Sequence, residues 1–197
     1  FYNFSAAVDF IGDKYGDELK KLEWVSLGGG IYWTKDSYPL EKFCKKLKEF
    51  GKKFGVQIYL EPGETAVTQS AELVTKVLDI VHNVNDIAIV DASTEAHMLD
   101  LLIYRTNAKI ENAGKGRFKY IVAGRSCLAG DVFGTYKLKE RLKVGDTIKF
   151  SDAAGYSMVK KNWFNGLQMP SIVIKRLNGS YDVVRRFDYN DFKNNLS

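Results

Sequence analysis

The sequence is poor in cysteine and histidine, with two of each in 197 residues. Cys44 and Cys127 have unrelated surroundings and cannot build a disulfide scaffold, so a reducing, cytoplasmic setting is expected. His82 and His97 lie near no cysteine or carboxylate pair with metal-ligand spacing, which argues against a metal site. No window approaches ~18 uninterrupted apolar residues, so no membrane-spanning helix is expected. A signal-peptide pattern is missing too, as are internal repeats and low-complexity tracts. The glycines lack the lysine of a P-loop and the spacing of a dinucleotide fingerprint. No paired metal cysteines or stacking-aromatic motif suggests nucleic-acid binding, and no Ser-His-Asp order stands out. The first residue is Phe1 instead of Met, as expected of a processed, trimmed or partial chain.

What is present suits a packed protein. Hydrophobic residues make up 45% and aromatics 13%, enough for one large domain or two modest ones. The net charge of +5 does not mark a nucleic-acid surface. Much of the lysine (Lys42, Lys45, Lys46, Lys48, Lys52, Lys53) interleaves with Phe43, Leu47 and Phe50 at helical spacing. That pattern reads as the solvated face of a helix. Cys44 shares its apolar side with Leu40, Phe43 and Leu47 and is expected in the core.

Periodicity orders the elements. Phe4 to Leu19 reads as an amphipathic helix through Val8, Ile11, Tyr15 and Leu19, and "LEWVSL" (22–27) as a strand ending at Gly28-Gly29-Gly30. A second helix runs from about Pro39 to Phe50 or Phe54, followed by the strand "VQIYL" (56–60), which stops at Pro62-Gly63. Strands joined by helical crossovers pair in parallel, and ligands meet such sheets at the strands' carboxyl ends. Past about Ala71 the chain changes character. "ELVTKVLDIV", "DIAIVDA", "FKYIVAG", "DTIKF", "SIVIKR" and "YDVVRR" predict a mostly antiparallel β domain. Only "TEAHMLDLLIY" and "DYNDFKNNL" read as helical there. The expected division is therefore an α/β segment over 1–70 and a β domain over 71–197.

Four short stretches can carry chemistry. "SLGGGIYW" is a tight turn or an anion site of exposed N–H groups at a strand-to-helix junction. In "YLEPGE", Glu61 closes a strand beside those glycines; it is a helix cap or a carboxylate that faces a bound heterocycle and keeps its nitrogen protonated. "GRSCLAGD" sets Cys127 among Arg125, Asp131 and two glycines; it is a buried packing cysteine or a thiol in a polar setting. "AGYSMVKKNWFNG" supplies Tyr156, Phe164 and Asn165, whose plainer roles are packing and a turn. His97, in "STEAHMLD", reads as part of a capped surface helix.

The ordered set "LGGG", "EPGE", "CLAGD" and "GYSMVKKNWFNG" resembles the pyridoxal-phosphate decarboxylases of the alanine-racemase-like fold. "YLEPGE", "DASTEAHM", "CLAGDVFG" and "MVKKNWFNG" are similar to the branch acting on carboxynorspermidine and carboxyspermidine. The resemblance implies that 1–70 is the last part of a (β/α)8 barrel, followed by the β domain, in a homodimer with active sites at the interface. It implies that Gly28, Gly29, Gly30 and Tyr156 meet the cofactor phosphate and Glu61 the pyridine nitrogen. Cys127 and Asp131 would reach the partner's site, where Cys127 would return a proton to the decarboxylated carbon, and Phe164 would lie beside that pocket.

Two departures stand out. Most relatives have arginine where this sequence has Glu64, and a carboxylate suits a substrate with several ammonium groups. Glu64, Asp100 and Asp131 are accordingly expected to recognise a polyamine. The cofactor-anchoring lysine that the resemblance calls for belongs to an earlier part of the barrel, so this chain is expected to be a C-terminal portion, inactive alone. A diaminopimelate or other basic amino-acid decarboxylase, and a non-catalytic relative, are the alternatives.

Overall fold

The amphipathic lysine-rich segment governs the first part of the structure, a computed structural model that describes residues 1–111 and 113–196. Helix α3 (Leu40–Phe54) buries Phe43, Phe50 and Phe54 along one stripe and leaves most of its lysines in solvent. Glu41 in its first turn and Lys52 and Lys53 in its last complement the helix dipole. Gly55 ends it at φ 71°, a left-handed stop that glycine adopts without penalty. Pro39 is the N-cap, one residue outside the helix.

Ahead of it, the first helical run divides into α1 (Tyr2–Lys14) and α2 (Gly16–Leu19). Val8, Leu19, Phe50, Phe54 and Val56 form a small core, with the Phe50 and Phe54 rings 4.8 Å apart. Cys44, expected inside, is exposed: the buried stripe runs through the phenylalanines, one position away on the helix. Strands β1 (Trp24–Ser26) and β2 (Gln57–Tyr59) pair in parallel, with Ser26 opposite Tyr59. Because the crossover is helical, both carboxyl ends lie together. A 3₁₀ turn, Glu64–Val67, follows, and this first unit spans Phe1–Thr68.

The second unit begins at Gln69. Its five-stranded sheet contains β3 (Leu73–His82), β4 (Asp86–Val90), β5 (Phe118–Ala123), β6 (Val132–Leu138) and β7 (Thr147–Phe150), in the order β6-β5-β4-β3-β7. Every neighbouring pair in it is antiparallel except β4–β5. Between those two lie α4 (Thr94–His97) and α5 (Asp100–Tyr104), where one continuous helix was expected; Met98 and Leu99 interrupt it. Strand β6 was not anticipated, because Gly134 at φ 150° interrupts its β-branched pattern.

Alternation fills the core. Leu73, Thr75 and Val77 point inward from β3, and Phe133 and Phe150 stack at 4.3 Å with no exposed surface. The sheet edges are not left open. Ala108 N–H donates to Phe133 O (2.8 Å) on β6, and Ser151 N–H donates to Lys109 O (2.8 Å) just past β7. Residues 108–110 thus satisfy backbone groups of both edges, which would otherwise invite pairing with another chain. A hairpin of β8 (Ile172–Lys175) and β9 (Tyr181–Arg185) forms a second sheet. Helix α6 (Tyr156–Lys160) precedes it and α7 (Tyr189–Leu196) follows. No helix among the described residues is long and apolar enough to cross a membrane.

Candidate functional site

In the first unit, parallel pairing brings the ends of β1 and β2 together, and both carry candidate residues. Glu61 N–H donates to Gly28 O (2.9 Å), continuing the ladder beyond the strands. The Ser26 hydroxyl donates to Glu61 Oε1 at 2.5 Å and accepts from Gly28 N–H at 3.2 Å. Gly28 and Gly30 have φ 71° and 75°, with open space where a Cβ would stand. At Gly29 a Cβ would lie 2.2 Å from Glu61 O, so no other residue fits without moving the strand end. The next helix begins at Leu40, close to the expected start at Pro39 and well beyond the glycines. Any anion held here is therefore held by loop amides without a helix N-terminus behind them. Glu64 opens the 3₁₀ turn next to Thr65, which is buried and donates from Oγ1 to Ile31 O at 2.7 Å.

In the second unit, the parallel β4–β5 pair does the same for its own loops. Ser93 and Thr94 follow β4, the Cys127 loop follows β5, and Arg125 N–H donates to Ala92 O (3.1 Å) between them. Asp131 sits at the centre, only 4% exposed. Its Oδ1 accepts from Thr94 N–H (2.7 Å) and Oγ1–H (2.9 Å), and its Oδ2 from Ser126 N–H (3.0 Å) and Oγ–H (2.6 Å). Burial pushes this carboxyl up, but the Ser126 and Thr94 hydrogen bonds outweigh it and hold the group below its ordinary value. Gly124 makes room, since a Cβ there would meet Asp131 Oδ2 at 2.2 Å.

Asp131 was expected to meet a substrate amine. Its two oxygens accept from four donors of Thr94 and Ser126, and these bonds hold the Cys127 loop in shape. Asp100, expected to share the amine-binding role, has Lys160 Nζ 2.6 Å from its Oδ1. The same ammonium stands 4.5 Å from the Tyr156 ring centroid. Tyr156 opens α6 and is 46% exposed.

Cys127 is exposed, and Asn165 Nδ2 lies 3.2 Å from its sulfur. Asn165 holds φ 57° within the turn Phe164–Gly166, a left-handed conformation that asparagine tolerates better than most residues. Asn162 fixes that turn: its N–H donates to Ala96 O (2.9 Å), its Nδ2 donates to Glu95 O (3.0 Å), and its Oδ1 accepts from Phe164 N–H (2.8 Å). Three stretches far apart in sequence, 93–97, 124–131 and 162–166, therefore meet at one end of the sheet. Ser126, Thr94 and Asn162 escaped sequence reasoning: the partners of Thr94 and Asn162 lie in other stretches, and the spacing of Ser126 to Asp131 marks no known motif.

His97, expected on a surface helix, is 5% exposed, and its Nδ1 accepts from Ser93 N–H at 3.1 Å. Burial lowers its basicity, and its Nδ1 is used as an acceptor. No group of three or more metal-ligating side chains occurs among the described residues.

A family model described as pyridoxal-dependent decarboxylase, C-terminal sheet domain, matches residues 6–154, and the chain belongs to that family. Over 197 residues it is 48% identical to a carboxynorspermidine/carboxyspermidine decarboxylase of Herminiimonas arsenicoxydans, covering 100% of this chain and 54% of that relative. A Campylobacter jejuni protein of the same description is 38% identical over 201 residues, covering 95% of this chain and 53% of its own length. The crystal structure of carboxynorspermidine decarboxylase from Campylobacter jejuni, complexed with norspermidine, superposes with a TM-score of 0.93 at 36% identity, over 98% of this chain and 56% of that one. The chain thus spans about half the length of the relatives it matches.

Proposed function

We propose that this chain is the C-terminal part of a pyridoxal-phosphate decarboxylase acting on a carboxylated polyamine, carboxynorspermidine or carboxyspermidine. The observation that carries the reading is Glu61, a strand-end carboxylate tied by hydroxyl and backbone to a loop of three glycines. That arrangement fits the cofactor: loop amides without Cβ atoms suit its phosphate, and a fixed carboxylate suits its ring nitrogen. Kinship with decarboxylases of these substrates supports the substrate class.

Pyridoxal phosphate, when bound, supplies an electron-accepting ring for the pair released with carbon dioxide. The residues of this chain divide the remaining work. Gly29 and Gly30 offer amides to the phosphate, Gly28, whose own N–H donates to Ser26 Oγ, leaves room for it by lacking a Cβ, and the Tyr156 hydroxyl serves the same group. Glu61 accepts the ring N–H and keeps it protonated. Cys127 Sγ carries the proton that returns to the substrate carbon, acting in the partner subunit of a homodimer. Glu64 takes a substrate ammonium group. In this reading residues 1–70 close a (β/α)8 barrel, and residues 71–197 form the β domain. The remaining barrel and the anchoring lysine belong to the part of the relatives' length that this chain does not span.

The test is the complete enzyme assayed with carboxynorspermidine, carboxyspermidine and diaminopimelate. Turnover of the first two is expected; preference for diaminopimelate overturns the substrate assignment. Replacing Cys127 with alanine is expected to slow turnover while cofactor stays bound, and unchanged turnover removes its role as proton carrier.

A further inference from the structure

We propose that Ser26 is the positioning residue of the cofactor site, fixing which Glu61 oxygen is presented to the ring. This rests on the cofactor reading above and extends it to a residue outside the glycine loop and the acidic motif. A serine hydroxyl has one proton, and here its direction is determined. Gly28 N–H points at Oγ from 3.2 Å and occupies a lone pair, so the hydroxyl proton must turn elsewhere. Glu61 Oε1, at 2.5 Å, receives it. Oε2 carries no hydrogen bond among the described residues, and the side chain is exposed. One oxygen is therefore pinned and its twin is free to accept.

The backbone makes this a rigid unit. Glu61 N–H is held by Gly28 O at 2.9 Å, and the Glu61 carbonyl fills the space that a Cβ on Gly29 would need. Ser26 lies at the last paired position of β1, opposite Tyr59 of β2, so its Oγ is placed by the strand pair and not by a loop. An exposed glutamate would otherwise sample many rotamers. The hydroxyl selects one, and it links that choice to the amide of Gly28. Ser26 thereby couples the two ends of the cofactor site, with its effect on the ring passing through Glu61.

The test uses the complete holoenzyme with Ser26→Ala, Ser26→Thr, Glu61→Ala and the double variant Ser26→Ala/Glu61→Ala. Readouts are turnover, the cofactor dissociation constant, and the pH dependence of the cofactor's visible absorption band. Ser26→Ala is expected to lower kcat about tenfold, weaken cofactor binding several-fold and alter the band's pH dependence. Ser26→Thr, which keeps the hydroxyl, should stay within about threefold of wild type. In the double variant, loss of Ser26 should add nothing to loss of Glu61. Unaltered kcat and band in Ser26→Ala, or additive losses in the double variant, overturn the proposal while leaving the decarboxylase reading intact. A wild-type enzyme with no cofactor band overturns both.

Discussion

Asp131 accepts two hydrogen bonds from Thr94 on a single oxygen, 2.7 Å from the backbone nitrogen and 2.9 Å from the hydroxyl. Together with Ser126 on the other oxygen, this ties the loop after β5 to the start of the helix after β4. Removing the carboxylate strands buried donors on both sides. Asp131→Ala is expected to lower unfolding free energy by about 2–4 kcal/mol, read by denaturant titration of the complete enzyme. Asp131→Asn keeps one acceptor but turns an NH₂ toward existing donors, so it should still cost about 1–2 kcal/mol. A neutral result for both variants would remove the bracing role.

Two buried groups give stability a definite pH dependence. Burial lowers the basicity of His97 from its ordinary 6.5, so between its folded value and 6.5 the unfolded chain binds more protons than the folded one. Stability should therefore fall as pH drops below about 6.5, and His97→Gln should flatten that part of the profile. Asp131 acts in the same direction but lower on the scale. Burial raises its carboxyl, the Ser126 and Thr94 bonds overcome this, and the net value lies below the ordinary 3.8. Its contribution is present above 3.8 and disappears as pH falls through the folded value. Melting temperatures of wild type, His97→Gln and Asp131→Asn across the acid range check both segments.

The parts of this fold that were legible in the sequence are those encoded by local periodicity. Parallel pairing of β1 and β2 follows from two short apolar runs around an amphipathic helix, and that pairing puts Glu61 beside the glycines. What was hidden depends on partners distant in sequence. Nothing near Asp131 indicates that Thr94 occupies one of its oxygens, and nothing near Asp100 indicates Lys160. Strand β6 was obscured by Gly134, a residue the packing requires because a Cβ would lie 2.6 Å from the Tyr136 hydroxyl. For Cys44, helical spacing identified an apolar side but not its width, and the exposed cysteine lies at its margin.

The three glycines should not respond alike to alanine. At Gly29 the added Cβ would stand 2.2 Å from Glu61 O, a backbone atom that cannot move without shifting the carboxylate. Gly29→Ala is expected to weaken cofactor retention at least about tenfold, because the strand end itself must shift. At Gly30 the space is open, and the penalty is the left-handed φ of 75°. That is about 1–2 kcal/mol, so Gly30→Ala should be milder. Cofactor dissociation constants of the two variants give the ranking, and a harsher Gly30→Ala would contradict it.

Asn165 serves Cys127 with its side chain and the turn with its backbone, and substitution can separate the two. Glycine tolerates φ 57° without strain but has no amide to place 3.2 Å from the sulfur. Asn165→Gly should therefore leave stability within about 0.5 kcal/mol of wild type while lowering kcat several-fold. Asn165→Ala loses the same amide and adds left-handed strain of about 1 kcal/mol, so it should match the glycine variant in kcat and fall below it in stability. Measuring kcat beside denaturant midpoints distinguishes the effects. If Asn165→Gly turns over like wild type, the amide does not position the thiol, and the value of Asn165 lies in its turn alone.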